Sequence, residues 1–301
     1  MTRIGAMQVG IVDVGANTLR LLVAAGDNGR VIPVREQRVQ LGLGEEIERC
    51  GEISDEKLAE AQTIARAHVR RARKLGCDRI DVLVTSPGRQ AANGAELVRG
   101  ISESTGAATR ILRPEEEGEL AWYGVLAGID DPAETVAVCD VGGGSTQVVV
   151  GTVPGGPAWA RSIDLGSLRL TRRALATAPP SGSELEAARA EVEAAFGDLA
   201  PPLPRAAYAT GGTARALRKV AGSTLEADAL SSAAKTLTRR SRRSISRTYG
   251  VDPARARTLL AGTLILGEVQ RRLGLALEIG RGGIREGAAL LALEELAAAT
   301  A

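Results

Sequence analysis

The chain opens on short apolar, β-branched runs broken by small and acidic residues. Val9–Val14, Leu19–Ala25 and Val31–Gln40 read as three strands, the last two separated by an Asp27-Asn28-Gly29 turn. Leu41-Gly42-Leu43-Gly44 reads as a loop, because it lacks the strand-then-helix setting of a dinucleotide fingerprint. The period then lengthens: Ser54, with Asp55 and Glu56 behind it, caps a helix that runs to Leu75 and stops at Gly76. Strand Ile80–Val84 leads into Thr85-Ser86 and a turn at Pro87-Gly88. Helix Ala91–Glu103 and strand Thr109–Leu112 complete the first half. Pro114 begins another helix, with Glu115, Glu116 and Glu117 in its first turn, where carboxylates complement the dipole.

A second half starts at about Ala121. It holds strands Thr135–Cys139 and Val148–Val150, a Pro154–Pro157 turn, strand Trp159–Ile163 and a helix from Leu168. A Pro179–Ser183 linker precedes helix Glu184–Leu199. After strand-like Ala206-Ala207-Tyr208 the pattern is mainly helical, ending in Pro253–Leu273, and a final helix covers Ile284–Ala299.

Three turns carry the candidate chemistry. Asp140-Val-Gly142-Gly143-Gly144-Ser145-Thr146 joins two strands; its glycines allow positive φ and clear Cβ atoms away, leaving amides and hydroxyls as a donor surface for phosphate oxygens. Asp140 suits a magnesium ion riding on that phosphate. An ordinary glycine-rich hairpin would look the same, but Asp13-Val-Gly15-Ala16-Asn17-Thr18 repeats the plan 127 positions earlier, which implies a duplicated architecture with halves facing across a cleft. Thr210-Gly211-Gly212-Thr213 ends a strand and opens a helix, a third anion site.

Together these residues resemble the actin-like ATPase superfamily, and within it the exopolyphosphatase and guanosine pentaphosphatase (Ppx/GppA) family. The likeness runs through Asp13–Arg20, Thr85–Asn93, Pro114–Gly118, Asp140–Thr146, Asp164–Leu170, the Thr210 turn and Gly283–Gly287. It implies an α/β fold of two ribonuclease H-like (actin-like ATPase) domains around a cleft: residues 1–120 plus 285–301, and 121–284. The last helix would then pack back on the N-terminal domain. The helical C-terminal extension of longer members is not seen, which the resemblance ties to shorter polyphosphate chains.

The same resemblance implies roles. Glu117 matches the family's catalytic glutamate, with Glu116 the runner-up, although helix capping alone would also explain the acidic trio. Arg20 and Arg89 are the cations expected on the phosphate chain. Gly142, Gly143, Gly144, Ser145 and Thr146 form one donor surface, with Gly15, Asn17, Thr18, Ser86, Gly211, Gly212 and Thr213 as further phosphate contacts. Asp140, Asp13 and position 147 would hold magnesium, with manganese the alternative. At 147 the family usually has a glutamate, and this chain has Gln147, which gives up a charge beside the metal. That leaves open weaker metal affinity, slower turnover, or a protein that binds polyphosphate or an alarmone without cleaving it.

Composition narrows the partners. The 301 residues are 44% hydrophobic and 25% charged, enough for two globular domains. Aromatic residues are only 2%, too few for the stacking platforms of single-stranded nucleic-acid binders. Net charge is +2, so the surface as a whole advertises no polyanion. The one dense basic run, Arg239-Arg240-Ser241-Arg242-Arg243-Ser244-Ile245-Ser246-Arg247, reads as a solvated helix face or as a polyphosphate docking strip. Cys50, Cys77 and Cys139 lack metal-ligand spacing and fit a reducing cytoplasm. His68 falls inside a helix and reads as a structural histidine. No signal peptide is visible, and the opening apolar stretch is broken by Asp13, Asn17 and Arg20, so it cannot span a membrane.

The expectation is a cytoplasmic, homodimeric, magnesium-dependent exopolyphosphatase. Its rivals are a guanosine pentaphosphate 5′-phosphohydrolase (substrate guanosine penta- or tetraphosphate), a silent polyphosphate sensor and a small-molecule kinase.

Overall fold

The first apolar run folds as β1 (Gln8–Val14), the middle strand of a five-stranded sheet in a computed structural model that describes residues 7–27 and 30–300. It pairs antiparallel with β2 (Thr18–Asp27), which pairs in turn with β3 (Arg30–Gln40). The expected turn at 28–29 lies outside the described residues. Leu43 does not belong to a loop: α1 (Leu43–Cys50) starts there. The N–H groups of Leu41, Gly42 and Gly44 bond the carbonyls of Asn17 and Ala16, and Gly42 takes φ 75°. Tertiary hydrogen bonds thus set the start of a helix whose local sequence is weak.

Ser54 caps α2 (Asp55–Lys74) as expected, its hydroxyl accepting from the Lys57 amide. β4 (Arg79–Val84) lies parallel to β1. The expected Pro87-Gly88 turn is a short helix, α3 (Ser86–Gln90), and the next helix, α4 (Gly94–Thr105), starts three residues after the expected Ala91. Asn93 accounts for the delay, because its amide exchanges hydrogen bonds with both the N–H and the carbonyl of Ile53 and draws 91–93 toward that loop. β5 (Ala108–Ile111) closes the order β3-β2-β1-β4-β5, and α5 (Pro114–Leu126) follows. Alternation sorts the side chains: Val12, Val14, Leu21, Val82 and Val84 pack on α1, α2 and α4, while Val9, Ile11, Leu22 and Leu83 line the other face.

The second sheet begins with β6 (Thr135–Val141), β7 (Thr146–Thr152) and β8 (Gly156–Ile163), all antiparallel neighbours. Helices α6 (Ser167–Ala174) and α7 (Gly182–Ala195) lead to β9 (Ala206–Thr210), parallel to β6. After α8 (Gly211–Ala221) come β10 (Thr224–Leu225), α9 (Ala227–Thr238), α10 (Arg242–Tyr249), α11 (Pro253–Leu273) and β11 (Leu277–Ile279). β10 and β11 are too short for a periodic signal and were not expected. The order is β10-β11-β9-β6-β7-β8.

The chain ends in α12 (Ile284–Thr300), which covers the Val9, Ile11 and Leu22 face of the first sheet beside α5. Two compact units result, residues 1–128 with 284–301 and residues 129–283. Ala121, expected to open the second half, therefore lies inside α5 in the first unit. The strand order β3-β2-β1-β4-β5 recurs in the second unit as β8-β7-β6-β9-β11, the duplication inferred from the repeated turn.

Candidate active site

The two hairpin turns are built alike to the level of single hydrogen bonds. In the first unit the Gly15 amide donates to the Thr18 carbonyl at 3.0 Å; in the second the Gly142 amide donates to the Ser145 carbonyl at 3.0 Å. Each has an aspartate two residues before the glycine, and each aspartate faces a polar residue across the hairpin: Asp13 opposite Arg20, Asp140 opposite Gln147. Directly opposed residues share a face of the sheet, so the duplication places Gln147 where the first unit has Arg20.

In the first unit, Asp13 and Arg20 continue the face formed by Ile11 and Leu22, at the end where apolar packing stops. The Arg20 Nε donates to the Thr18 hydroxyl at 3.2 Å. Thr85 ties the next turn in place, its amide and hydroxyl both donating to the Val14 carbonyl, and Ser86 is buried beside it. Arg89, on α3, reaches α5: Nη1 donates to the Leu112 carbonyl at 2.8 Å and Nη2 to Glu117 Oε2 at 2.7 Å. Glu117 is 7% exposed and Arg89 18%. The choice between the two glutamates follows. Glu116 accepts from the Arg113 amide in a capping box and pairs with Arg110 at 2.5 Å, a helix-capping role. Glu117 points inward, on the side of α5 that carries Leu120.

In the second unit, α6 fixes the triple-glycine turn. The amides of Ser167 and Leu168 donate to the carbonyls of Gly142 and Gly143 at 2.9 Å, and the Ser167 hydroxyl adds a bond to Gly142. In a trans peptide the next N–H points the opposite way, so the amides of Gly143 and Gly144 are turned away from α6. The left-handed φ expected in this turn falls elsewhere, on Gly211 at +85°. A Cβ on Gly211 would sit 2.1 Å from Asp140 Oδ1, so glycine there lets the carboxylate lie against the start of α8. Thr146, expected as a phosphate donor, is fully buried and donates its hydroxyl to the Leu165 carbonyl, which makes it a strut of the turn. Thr213 is also fully buried, its hydroxyl 3.5 Å from that of Ser167.

Gln147 is 2% exposed. Its Nε2 donates to the hydroxyls of Ser145 at 2.9 Å and Ser162 at 3.1 Å, and its Oε1 is buried with no hydrogen-bond partner. An orphan amide oxygen costs energy in a dry site, and it sits opposite Asp140. A carboxylate and an amide oxygen on one face suit a hard divalent cation. Among the described residues no three His, Cys, Asp or Glu side chains gather as a metal cluster. A cation would thus keep oxygens from water or substrate, as magnesium does.

Two contributors escaped sequence reasoning. Gly166 lies where a Cβ would fall 2.4 Å from the Gly143 carbonyl, so the turn and α6 can meet only at glycine. Arg255, in the first turn of α11, lays its guanidinium against Gly212, with Nη2 2.5 Å from where a Cβ would be. A cation at a helix N-terminus opposes the dipole, and that misfit was the available signal.

Exopolyphosphatase 1 of Mycobacterium tuberculosis is 30% identical over 98% of this chain and 91% of its own length. The crystal structure of the Aquifex aeolicus Ppx/GppA family member superposes with a TM-score of 0.82 at 22% identity, covering 99% of this chain and 100% of that one. An exopolyphosphatase from Cytophaga hutchinsonii gives 0.84 at 19% identity, covering 96% and 98%. These structures share the fold. The model of the Ppx/GppA phosphatase family matches residues 22–295, and with that match over most of its length the chain belongs to the Ppx/GppA phosphatase family.

Proposed function

We propose that the protein is an exopolyphosphatase that hydrolyses the terminal phosphoanhydride of inorganic polyphosphate and releases orthophosphate. The observation that carries the reading is the buried Glu117 carboxylate held by Arg89 at 2.7 Å in a chain with two matching Asp–Gly turns. In this reading Glu117 takes a proton from water as the water oxygen bonds to the terminal phosphorus. The bridging P–O bond breaks, and the shortened chain leaves with its oxygen anionic. Arg89 orients the base, and Arg20 offsets charge on the transferred group. The Gly15 amide is taken by the Thr18 carbonyl, so in the first unit the Asn17 amide would supply a donor, and in the second the Gly143 and Gly144 amides, Ser145 and the Gly211-Gly212 helix start. Asp140 and Gln147 would hold magnesium, which would add positive charge at the phosphate oxygens when bound.

The proposal includes a homodimer in a reducing cytoplasm. Cys50, Cys77 and Cys139 are unpaired thiols, and among the described residues no helix is long and apolar enough to cross a membrane. One observation favours a second reading, a polyphosphate or alarmone binder of low turnover: Gln147 is neutral where a charge would aid the metal. Purified protein with magnesium and tripolyphosphate, long-chain polyphosphate, guanosine pentaphosphate or ATP separates them. Release of orthophosphate chiefly from the polyphosphates supports the proposal. Selective release from guanosine pentaphosphate overturns it in favour of the alarmone hydrolase, and binding without release in favour of the sensor.

A further inference from the structure

Residues 229–251 contain no Asp or Glu but six cations, Lys235, Arg239, Arg240, Arg242, Arg243 and Arg247, in a chain whose net charge is only +2. Five of them fall on α10 and the loop before it. Arg239, Arg240, Arg243 and Arg247 are exposed, and among the described residues none of the five arginines forms an ion pair with a carboxylate. Elsewhere arginines are commonly neutralised: Arg79, Arg89, Arg110, Arg173, Arg271 and Arg272 all have a carboxylate partner. Uncompensated like charges packed into nine residues repel one another, so the cluster is stabilised by whatever anion it meets.

Its geometry selects the anion. Arg243 and Arg247 stand one turn apart on α10, with Ser244 and Thr248 beside them at the same spacing. These four and Ser241 line a shallow surface pocket of about 460 Å³. Forked guanidinium groups alternating with hydroxyls suit a row of phosphate oxygens. The one ring here, Tyr249, is already covered by Arg240 at 5.9 Å, which leaves no stacking surface for bases. The helix that carries the strip packs on the helix that touches the third phosphate turn. α10 packs on α11, Asp252 caps α11, and Arg255 in its first turn lies against Gly212 of the third phosphate turn.

We propose that α10 and its preceding loop form a second anion site, a strip that docks the distal part of an inorganic polyphosphate chain. The assignment rests on the exopolyphosphatase reading. Arg243 and Arg247 act as the main contacts, so affinity rises with chain length beyond what the terminal phosphates supply.

The test is the double variant Arg243→Ala/Arg247→Ala, both side chains exposed, assayed on tripolyphosphate and on long-chain polyphosphate across a salt series. The expected result is a KM for the long chain raised about tenfold, with kcat and the tripolyphosphate KM unchanged. The slope of log KM against log salt should fall by about 1.4 for two lost phosphate contacts on a flexible polyanion. An unchanged long-chain KM overturns the strip, as does an equal rise for tripolyphosphate. Direct binding of labelled long-chain polyphosphate to both proteins decides the matter even if the wild type releases no phosphate. In that event the hydrolase reading fails, while a variant that binds as tightly as wild type removes the strip. Single-stranded DNA competing as well as polyphosphate at equal charge also overturns it.

Discussion

At the scale of single residues, the sequence left two glutamates open and the structure separates them by their partners. Glu116 is occupied by the α5 capping box and Arg110, whereas Glu117 is buried against Arg89. Glu117→Gln should therefore keep polyphosphate binding and lower kcat by about 10²–10⁴-fold, the usual contribution of a positioned base, read by phosphate release beside equilibrium binding. Gln147→Glu supplies the missing charge opposite Asp140. It should lower the magnesium concentration for half-maximal activity by about tenfold, as an added charge near a bound divalent ion is worth at least 1.4 kcal/mol or so; an unchanged magnesium titration argues against a metal at Asp140. Gly211→Ala should cost about 1–2 kcal/mol from left-handed strain alone, plus displacement of the Asp140 carboxylate from 2.1 Å, seen as a lower Tm together with lost activity. Gly211 was legible as part of a turn. Its φ was not, because a run of three glycines at 142–144 drew the expectation of positive φ to the wrong place.

At the scale of elements, long periodic segments were legible and tertiary decisions were not. α2 begins at its sequence-marked cap, Ser54, and α11 at the expected Pro253. α1 and the delayed start of α4 depend on hydrogen bonds to Asn17 and from Asn93, which no local pattern announces. Arg255 was missed for the same reason, since its contact with Gly212 joins segments far apart in sequence. The crossing of α5 and α12 is set by Gly287, where a Cβ would fall 1.9 Å from the Leu120 carbonyl. Gly287→Ala should push the helices apart one turn from Glu117 and destabilise the first unit by about 1–3 kcal/mol, measurable by denaturant unfolding. α2 also carries a pH-dependent term. Burial holds the His68 imidazole below its ordinary pKa, partly opposed by a hydrogen bond to the Leu19 backbone. The unfolded chain binds that proton more readily, so the stability from neutral His68 is complete above about pH 6.5 and is lost as pH falls through the depressed folded value. His68→Leu should flatten this part of the stability–pH curve; an unaltered slope contradicts the assignment.

At the scale of the whole molecule, the duplication was the most legible feature, because one short pattern, Asp-Val-Gly, recurs 127 positions on. The structure extends that pattern to strand order and to the hydrogen bond closing each turn, and it equates Arg20 with Gln147. One copy thus carries a cation and the other a neutral oxygen donor. The most direct measurement is a phosphorus NMR time course of long-chain polyphosphate with magnesium and either wild-type protein or Glu117→Gln. Exopolyphosphatase action with Glu117 as base predicts that orthophosphate grows while the number of chain-end groups stays constant, and that this growth vanishes in the variant. Accumulating end groups, which mark internal cleavage, or orthophosphate release as fast in Glu117→Gln as in wild type, would contradict it.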